Sequence, residues 1–309
     1  MTRPQLSTRR FPGMAARALA VTAVALAASA GSAQAQMLVG LTSSNELARF
    51  DVSNPGAATT VAISGLAAGD RFVGIDLRPS NNMLYGITLS NQIYTINEMT
   101  GAASFVAALN VPVVAGNLGW GLDFNPVADF AGAASLRVVS SAGANLAVNV
   151  NNGMVGNTAS NIGPGFTGVG YTNSTPAGAP ASTGLYYINT DNNTLAFTPT
   201  GFNAPVISTI GALGINPVSA NGFEVLSNGM AYAAFNLENS AALTTGIYGI
   251  NLATGAATLA GTFNGTLSGL TVSAVPEPGT YGLLLAGLGV LAWVARRRSS
   301  DNSPSRATA

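Results

Sequence analysis

Short apolar stretches, broken every few positions by Gly, Asn, Ser or Thr, recur along the middle of the chain. None has the length or the 3.6-residue spacing of an amphipathic helix, so they predict strands joined by tight turns. One line of them reads Leu47-Ala-Arg-Phe, Ile93-Tyr-Thr-Ile, Leu146-Ala-Val-Asn, Leu195-Ala-Phe-Thr and Ile247-Tyr-Gly-Ile. Their starts lie 46, 53, 49 and 52 residues apart, a mean of 50. A period of that size marks a repeat architecture.

Each repeat carries further lines. Upstream stand Leu38-Val-Gly-Leu, Leu84-Tyr-Gly-Ile, Leu136-Arg-Val-Val, Leu185-Tyr-Tyr-Ile and Met230-Ala-Tyr-Ala. In three repeats the turn between these two lines holds an Asn (Asn45, Asn91, Asn193), a residue that accepts the left-handed backbone of a tight hairpin. A third line opens on glycine: Gly74-Ile-Asp-Leu, Gly121-Leu-Asp-Phe, Gly168-Val-Gly-Tyr, Gly222-Phe-Glu-Val and Gly269-Leu-Thr-Val. A fourth follows the turn after the first line, as in Thr60-Val-Ala-Ile, Phe105-Val-Ala-Ala and Pro205-Val-Ile-Ser. Four strands in each of five units predict an all-β fold, a five-bladed β-propeller. The first unit lacks its Gly-led strand and a spare one, Gly269–Val272, appears at the far end, so the two ends should complete one blade together.

The two termini differ from this body. Arg3, Arg9, Arg10 and Arg17 precede a small-residue apolar run, Ala18 to Ala30, and the triplet Ala33-Gln34-Ala35. That is the layout of a secretory signal over residues 1–35, with an N-terminal signal helix and a mature chain beginning at Gln36. Export machinery and signal peptidase are the partners it implies. At the other end, Pro276-Glu277-Pro278 precedes an uncharged stretch, Gly279 to Ala295, and then Arg296, Arg297 and Arg298. As a helix the uncharged stretch would be roughly 25 Å long, just enough for a single C-terminal transmembrane helix. The arginines would hold its end in the cytoplasm. The expected divisions are a signal peptide (1–35), a propeller body (36–274), a sorting and anchoring segment (275–298) and a polar tail (299–309).

Composition removes several activities. The chain has no Lys, His or Cys. A Ser–His–Asp triad, a cysteine nucleophile, a P-loop lysine and a conventional zinc site are all excluded. Residues 36–275 hold four arginines (Arg49, Arg71, Arg78, Arg137) and ten acids, a net charge of −6. Such a body disfavours nucleic acid and other long polyanions as partners.

The C-terminal segment resembles the PEP-CTERM sorting signal of Gram-negative bacteria, which joins a P-E-P triplet, a short apolar helix and an arginine cluster. The resemblance implies an inner-membrane intermediate, processing by an exosortase, and delivery to the cell surface or extracellular matrix. The runs Leu38-Val-Gly-Leu-Thr, Phe72-Val-Gly-Ile-Asp-Leu-Arg-Pro, Gly121-Leu-Asp-Phe-Asn-Pro and Ile247-Tyr-Gly-Ile-Asn-Leu-Ala-Thr-Gly are similar to the secreted bacterial family named domain of unknown function 4394. That likeness runs from about Met37 to Val272, implies a propeller-like fold and brings no activity.

Candidate chemistry sits two residues after each leading glycine, at Asp76, Asp123, Gly170, Glu224 and Thr271. In a propeller the Gly-led strands edge the central channel, so three carboxylates should converge on its axis. Three readings of them stand open. They are a calcium site, since a hard cation wants several oxygens; a glycosidase acid pair; or acceptors for backbone amides at strand ends. Arg71 and Arg78 flank Asp76 and suggest a local ion pair. The strand tyrosines and Trp120 suit packing between blades, with sugar stacking as the alternative. Insertion Asp129–Ala134 reads as loop variation. The role expected from these features is non-catalytic: an exported surface or matrix protein that binds exopolysaccharide or a surface protein. A glycoside hydrolase and a purely structural matrix protein are the alternatives. No catalytic residue and no cofactor are expected, apart from a possible Ca2+ at Asp76, Asp123 and Glu224.

Overall fold

The computed structural model describes residues 36–112, 119–133, 135–156, 161–237, 244–274 and 287–292. Its strands fall into five four-stranded antiparallel sheets. The first is built from β1 (Met37–Thr42), β2 (Glu46–Asp51) and β3 (Thr59–Ala62). The second comprises β4 (Phe72–Arg78), β5 (Met83–Thr88), β6 (Gln92–Ile96) and β7 (Ala103–Ala108). The third holds β8 (Trp120–Phe124), β9 (Ser135–Ser140), β10 (Asn145–Asn149) and β11 (Met154–Val155). In the fourth are β12 (Phe166–Tyr171), β13 (Leu185–Asn189), β14 (Thr194–Thr198) and β15 (Ser208–Ala212). The fifth has β16 (Pro217–Val225), β17 (Ala231–Leu237), β18 (Thr245–Ile250) and β19 (Ala257–Phe263). The last strand, β20 (Leu267–Val272), returns to the first sheet, where Leu38 faces Val272 and Gly40 faces Leu270.

The Gly-led strands form the inner ring. β4 packs on β8, β8 on β12, β12 on β16, β16 on β20 and β20 on β4. This is a five-bladed propeller, with one blade completed by both ends of the body as the repeat count requires. Asn45, Asn91 and Asn193 adopt φ values of 62°, 60° and 54°, the left-handed turns anticipated for the hairpins.

Five apolar clusters hold the ring together, each shared by two neighbouring blades. Alternation within one strand serves two of them. Leu38 joins the cluster facing the fifth blade, whereas Val39 and Leu41 join the one facing the second. A strand covered on both faces has little use for polar residues, which explains the near-continuous apolar character of the inner lines. The outermost strands lack that cover: β3, β7, β15 and β19 are largely exposed. Their pattern is correspondingly faint. The fourth strand expected at Pro205–Ser208 lies instead at Ser208–Ala212, and β11 is two residues long.

The leading glycines have a steric cause. A Cβ on Gly121 would lie 2.8–2.9 Å from the Gly168 Cα, Gly168 carbonyl carbon and Val169 nitrogen on the next inner strand. Backbone cannot yield to it. Gly121→Ala is expected to cost about 1–3 kcal/mol of stability, the usual range for overpacking. Gly249→Ala, whose nearest neighbour would be the Thr258 oxygen at 3.9 Å, serves as the tolerated control. Thermal melts of the two variants check this.

Residues 1–35, with the expected signal helix, lie outside the described residues, as do Pro276, Glu277, Pro278, Arg296, Arg297, Arg298 and the polar tail. Of the expected membrane helix only 287–292 are described, and these are helical. No helix among the described residues is long and apolar enough to cross a membrane.

Candidate functional site

Asp76, Asp123 and Glu224 meet on the axis as their spacing required. Each offers a carboxylate oxygen within 4.8 Å of the other two. They are 3%, 2% and 4% exposed, so water does little to screen their repulsion. The residue two after each leading glycine also reaches across to the backbone of the next blade. Phe124 N–H donates to Asp76 Oδ2 at 2.7 Å, and Tyr171 N–H hydrogen bonds to the Asp123 carboxyl. Val272 N–H does the same for Glu224, and Leu77 N–H donates to Thr271 Oγ1 at 3.1 Å. Gly170 has no side chain to take part. A Cβ there would fall 2.7 Å from Val225 Cγ2 of the fifth blade. Four of the five blade junctions at the axis are therefore stitched side chain to backbone.

Burial controls the protonation of these groups. It pushes Asp76 up to about 7, against hydrogen bonds from Thr271, Phe124 and Leu77 that favour its charge. Asp123 is raised well above the usual carboxylate range by burial and then by the charges of Asp76 and Glu224. Glu224 is raised by burial and by Asp76. The Thr271 hydroxyl donates to Asp76 Oδ1 at 2.8 Å and also hydrogen bonds with Glu224. One hydroxyl has one proton, so it serves both contacts only if a carboxyl proton donates in one of them. Burial and mutual repulsion favour neutralisation of the trio, by protons or by a cation. Its spacing suits calcium, whose oxygen ligands sit at about 2.3–2.6 Å and hence at most about 5 Å from one another.

The pairing suggested for Arg78 is corrected. Its Nε donates to Asp129 Oδ1 at 2.7 Å, and Asp76 is not its partner. Asp129 belongs to the insertion read as loop variation, but Pro126–Ala128 and Asp129–Ala133 form helical turns that bury it to 2% exposure. Asn125 starts these turns by accepting from Ala128 N–H. Arg71 is exposed. Trp120 packs against the core between the second and third blades, and Tyr85 meets Phe124 edge-on with ring centroids 5.5 Å apart.

Residues 46–271 match the family described as Domain of unknown function (DUF4394). The chain belongs to the DUF4394 family. Residues 274–298 of this DUF4394 chain match the PEP-CTERM protein-sorting motif, which implies exosortase-dependent export through a membrane intermediate to the cell surface. No curated protein matches it. Among solved structures it is similar to one described as a nidogen/laminin complex, at 12% identity and a TM-score of 0.45, covering 78% of this chain and 99% of that one. A putative 6-phosphogluconolactonase from Bacteroides uniformis gives 12% identity, a TM-score of 0.41 and coverages of 75% and 83%. A calcium-binding protein, regucalcin from Agrobacterium tumefaciens, gives 14%, 0.37, 72% and 68%. Likeness at this level carries no argument about activity.

The sorting motif begins where the DUF4394 body is firmly held. Glu98, buried in the turn after β6, accepts from Arg49 Nε at 2.7 Å, from Ala274 N–H at 2.9 Å and from the Ser273 hydroxyl. Asn82 Nδ2 donates to the Ala274 carbonyl at 3.3 Å. Neither Glu98 nor Asp129 stood out in the sequence, because each pairs with residues about fifty or more positions away. An acid inside the otherwise apolar Phe-Ala-Gly-Ala insertion was the available clue to Asp129.

Proposed function

We propose that this exported propeller works by binding, not by catalysis, and holds exopolysaccharide or a surface partner at the mouth of its central channel. The observation that carries the reading is a pocket of roughly 340 Å3 where the inner strands end. Asn82, Ser174, Thr175, Ser227 and Asn228 surround it, and Glu224 forms part of its wall. Hydrogen-bonding side chains around one carboxyl suit a hydroxylated ligand.

Hydrolysis is less well supported. Glycosidases place two carboxyls about 5–9.5 Å apart on either side of the scissile bond. Here Asp76 and Asp123 do not line the pocket, and the three acids crowd within 4.8 Å of one another. In this proposal the trio fastens blades, neutralised by protons or by Ca2+.

A glycan-binding assay on the full-length protein in detergent tests the reading. Binding to a neutral or acidic polysaccharide, weakened at least tenfold by Asn228→Ala, is expected. Release of reducing sugar by the wild type, abolished in Glu224→Gln, would replace it with an enzyme. Absence of any glycan or surface-protein binding would leave a purely structural matrix protein.

A further inference from the structure

Two arginines are buried in the propeller, and only one has a carboxylate. Arg78 is matched by Asp129. Arg137, on β9, is 2% exposed and takes part in neither ion pair found among the described residues. Its hydrogen bonds all run to neutral acceptors: Nε to Tyr171 Oη at 3.3 Å, Nη1 to Asn145 Oδ1 at 3.1 Å and Nη2 to Asn203 Oδ1 at 2.9 Å. A guanidinium has five N–H groups, so one remains on each Nη. Asp123 faces Arg137 across the strand pair, but its carboxyl is turned to the Tyr171 amide at the axis. A charge removed from water without a counter-charge is costly.

Arg137 also lines a pocket of roughly 550 Å3 between the third and fourth blades. Asn125, Ser135 and Asn203 give that pocket polar edges, and Phe202 gives it an apolar wall. Phe202 is fixed there by an edge-on contact with Tyr171 at 5.0 Å and by Asn145 Nδ2, which donates to its carbonyl. A second buried donor stands beside the cation. The Tyr187 hydroxyl has no hydrogen-bond partner among the described residues, and the Arg137 charge acts on it. The neighbourhood is rich in donors, and among the described residues no acid forms an ion pair with Arg137.

We propose that this pocket recognises the carboxylate of a uronate sugar, with Arg137 as the charge-reading residue. The two remaining Nη–H groups match the oxygens of a carboxylate, a pairing that guanidinium makes in bidentate form. Asn125 Oδ1 accepts from Ala128 N–H and its side chain also bonds Tyr171, and Asn203 Oδ1 accepts from Arg137. It is therefore their remaining amide N–H groups that can reach ring hydroxyls, while Phe202 offers a face for the C–H side of the ring. The body's net charge of −6 opposes long polyanions, so the site addresses one carboxylate at a time. The assignment rests on the binding reading above, adds to the channel mouth a second contact at this pocket, and narrows the ligand to a glycan carrying isolated uronate residues.

Isothermal titration calorimetry on the full-length protein in detergent tests it, with galacturonate, an oligogalacturonate, a neutral cello-oligosaccharide and acetate. Uronates are expected to bind at least tenfold more tightly than the neutral sugar, with acetate competing weakly. Monomer and oligomer should agree within a few fold per residue, as a one-carboxylate site requires. Asn203→Ala, at an exposed position that need not disturb folding, should lower uronate affinity about tenfold, and Arg137→Gln should abolish it. If Arg137→Gln does not fold, Asn203→Ala alone decides. Equal affinity for neutral and acidic sugars would overturn this inference and leave the binding role standing. So would uronate binding that survives Asn203→Ala unchanged. Failure to bind any of these sugars would overturn this inference, and the channel-mouth reading would stand or fall separately on the glycan and surface-protein assay with Asn228→Ala.

Discussion

Asp129→Ala should destabilise the propeller by about 3–5 kcal/mol, the usual consequence of leaving one member of a buried ion pair alone. Arg78 would keep Tyr85 Oη at 3.3 Å and Asn151 Oδ1 at 3.0 Å, both neutral. Its guanidinium would still lie 5.6 and 5.9 Å from the Tyr85 and Phe124 ring centres. Neither contact replaces a carboxylate that also accepts Ser80 N–H at 3.0 Å. For a body of this size the loss corresponds to a fall in Tm of roughly 10 °C. An Arg78→Met/Asp129→Ala double variant should recover much of it, because no charge is then stranded. Should the double variant melt as low as the single one, packing of the helical turns, and not charge, would be what Asp129 contributes.

Stability is expected to fall as pH rises from about 4 to 7, opposite to the behaviour of most proteins with paired carboxylates. Asp76 titrates near 7 in the folded chain, against 3.8 ordinarily. Between those values the folded state keeps a proton that the unfolded state has released. The stabilisation is complete below the ordinary value and drains away as pH climbs through the folded one, at about 1.4 kcal/mol per pH unit for each such group. Asp123 and Glu224, raised by burial and by their neighbours' charge, add to the loss in the same direction. Melting curves at pH 5, 6, 7 and 8 would show it, and Asp76→Asn should flatten the slope. Calcium added at pH 8 should restore the lost stability if the cation stands in for protons. An Asp76→Asn/Asp123→Asn variant should then be indifferent to it. A Tm that rises with pH would mean that the acids are ionised and otherwise compensated.

The sequence disclosed whatever the ring repeats. The inner strands are covered on two faces and squeezed at the axis, so each carries an apolar line led by glycine. The position two residues on is fixed by that geometry, which made Asp76, Asp123 and Glu224 findable without coordinates. What the blades do not share stayed hidden. Outer strands such as β15 answer mostly to solvent and leave little pattern. Arg78 finds Asp129 only because an insertion in the next blade folds back, and Arg137 reaches Asn203 through a loop of the fourth blade. Partners at such junctions are chosen by docking, and local spacing does not encode them.

The clasp at Glu98 bears on mechanics. Ser273 and Ala274 stand where the sorting motif begins, so a pull transmitted along the chain from that motif reaches the described body there. Glu98 stands on the second blade and its partner Arg49 on the first, which divides the tension between two blades before it reaches β20. The bonds from β20 to β1 run across the strands, so a tug along β20 loads them in shear, together and not one after another. The seam of the ring is thus oriented to resist being drawn open from its C-terminal side.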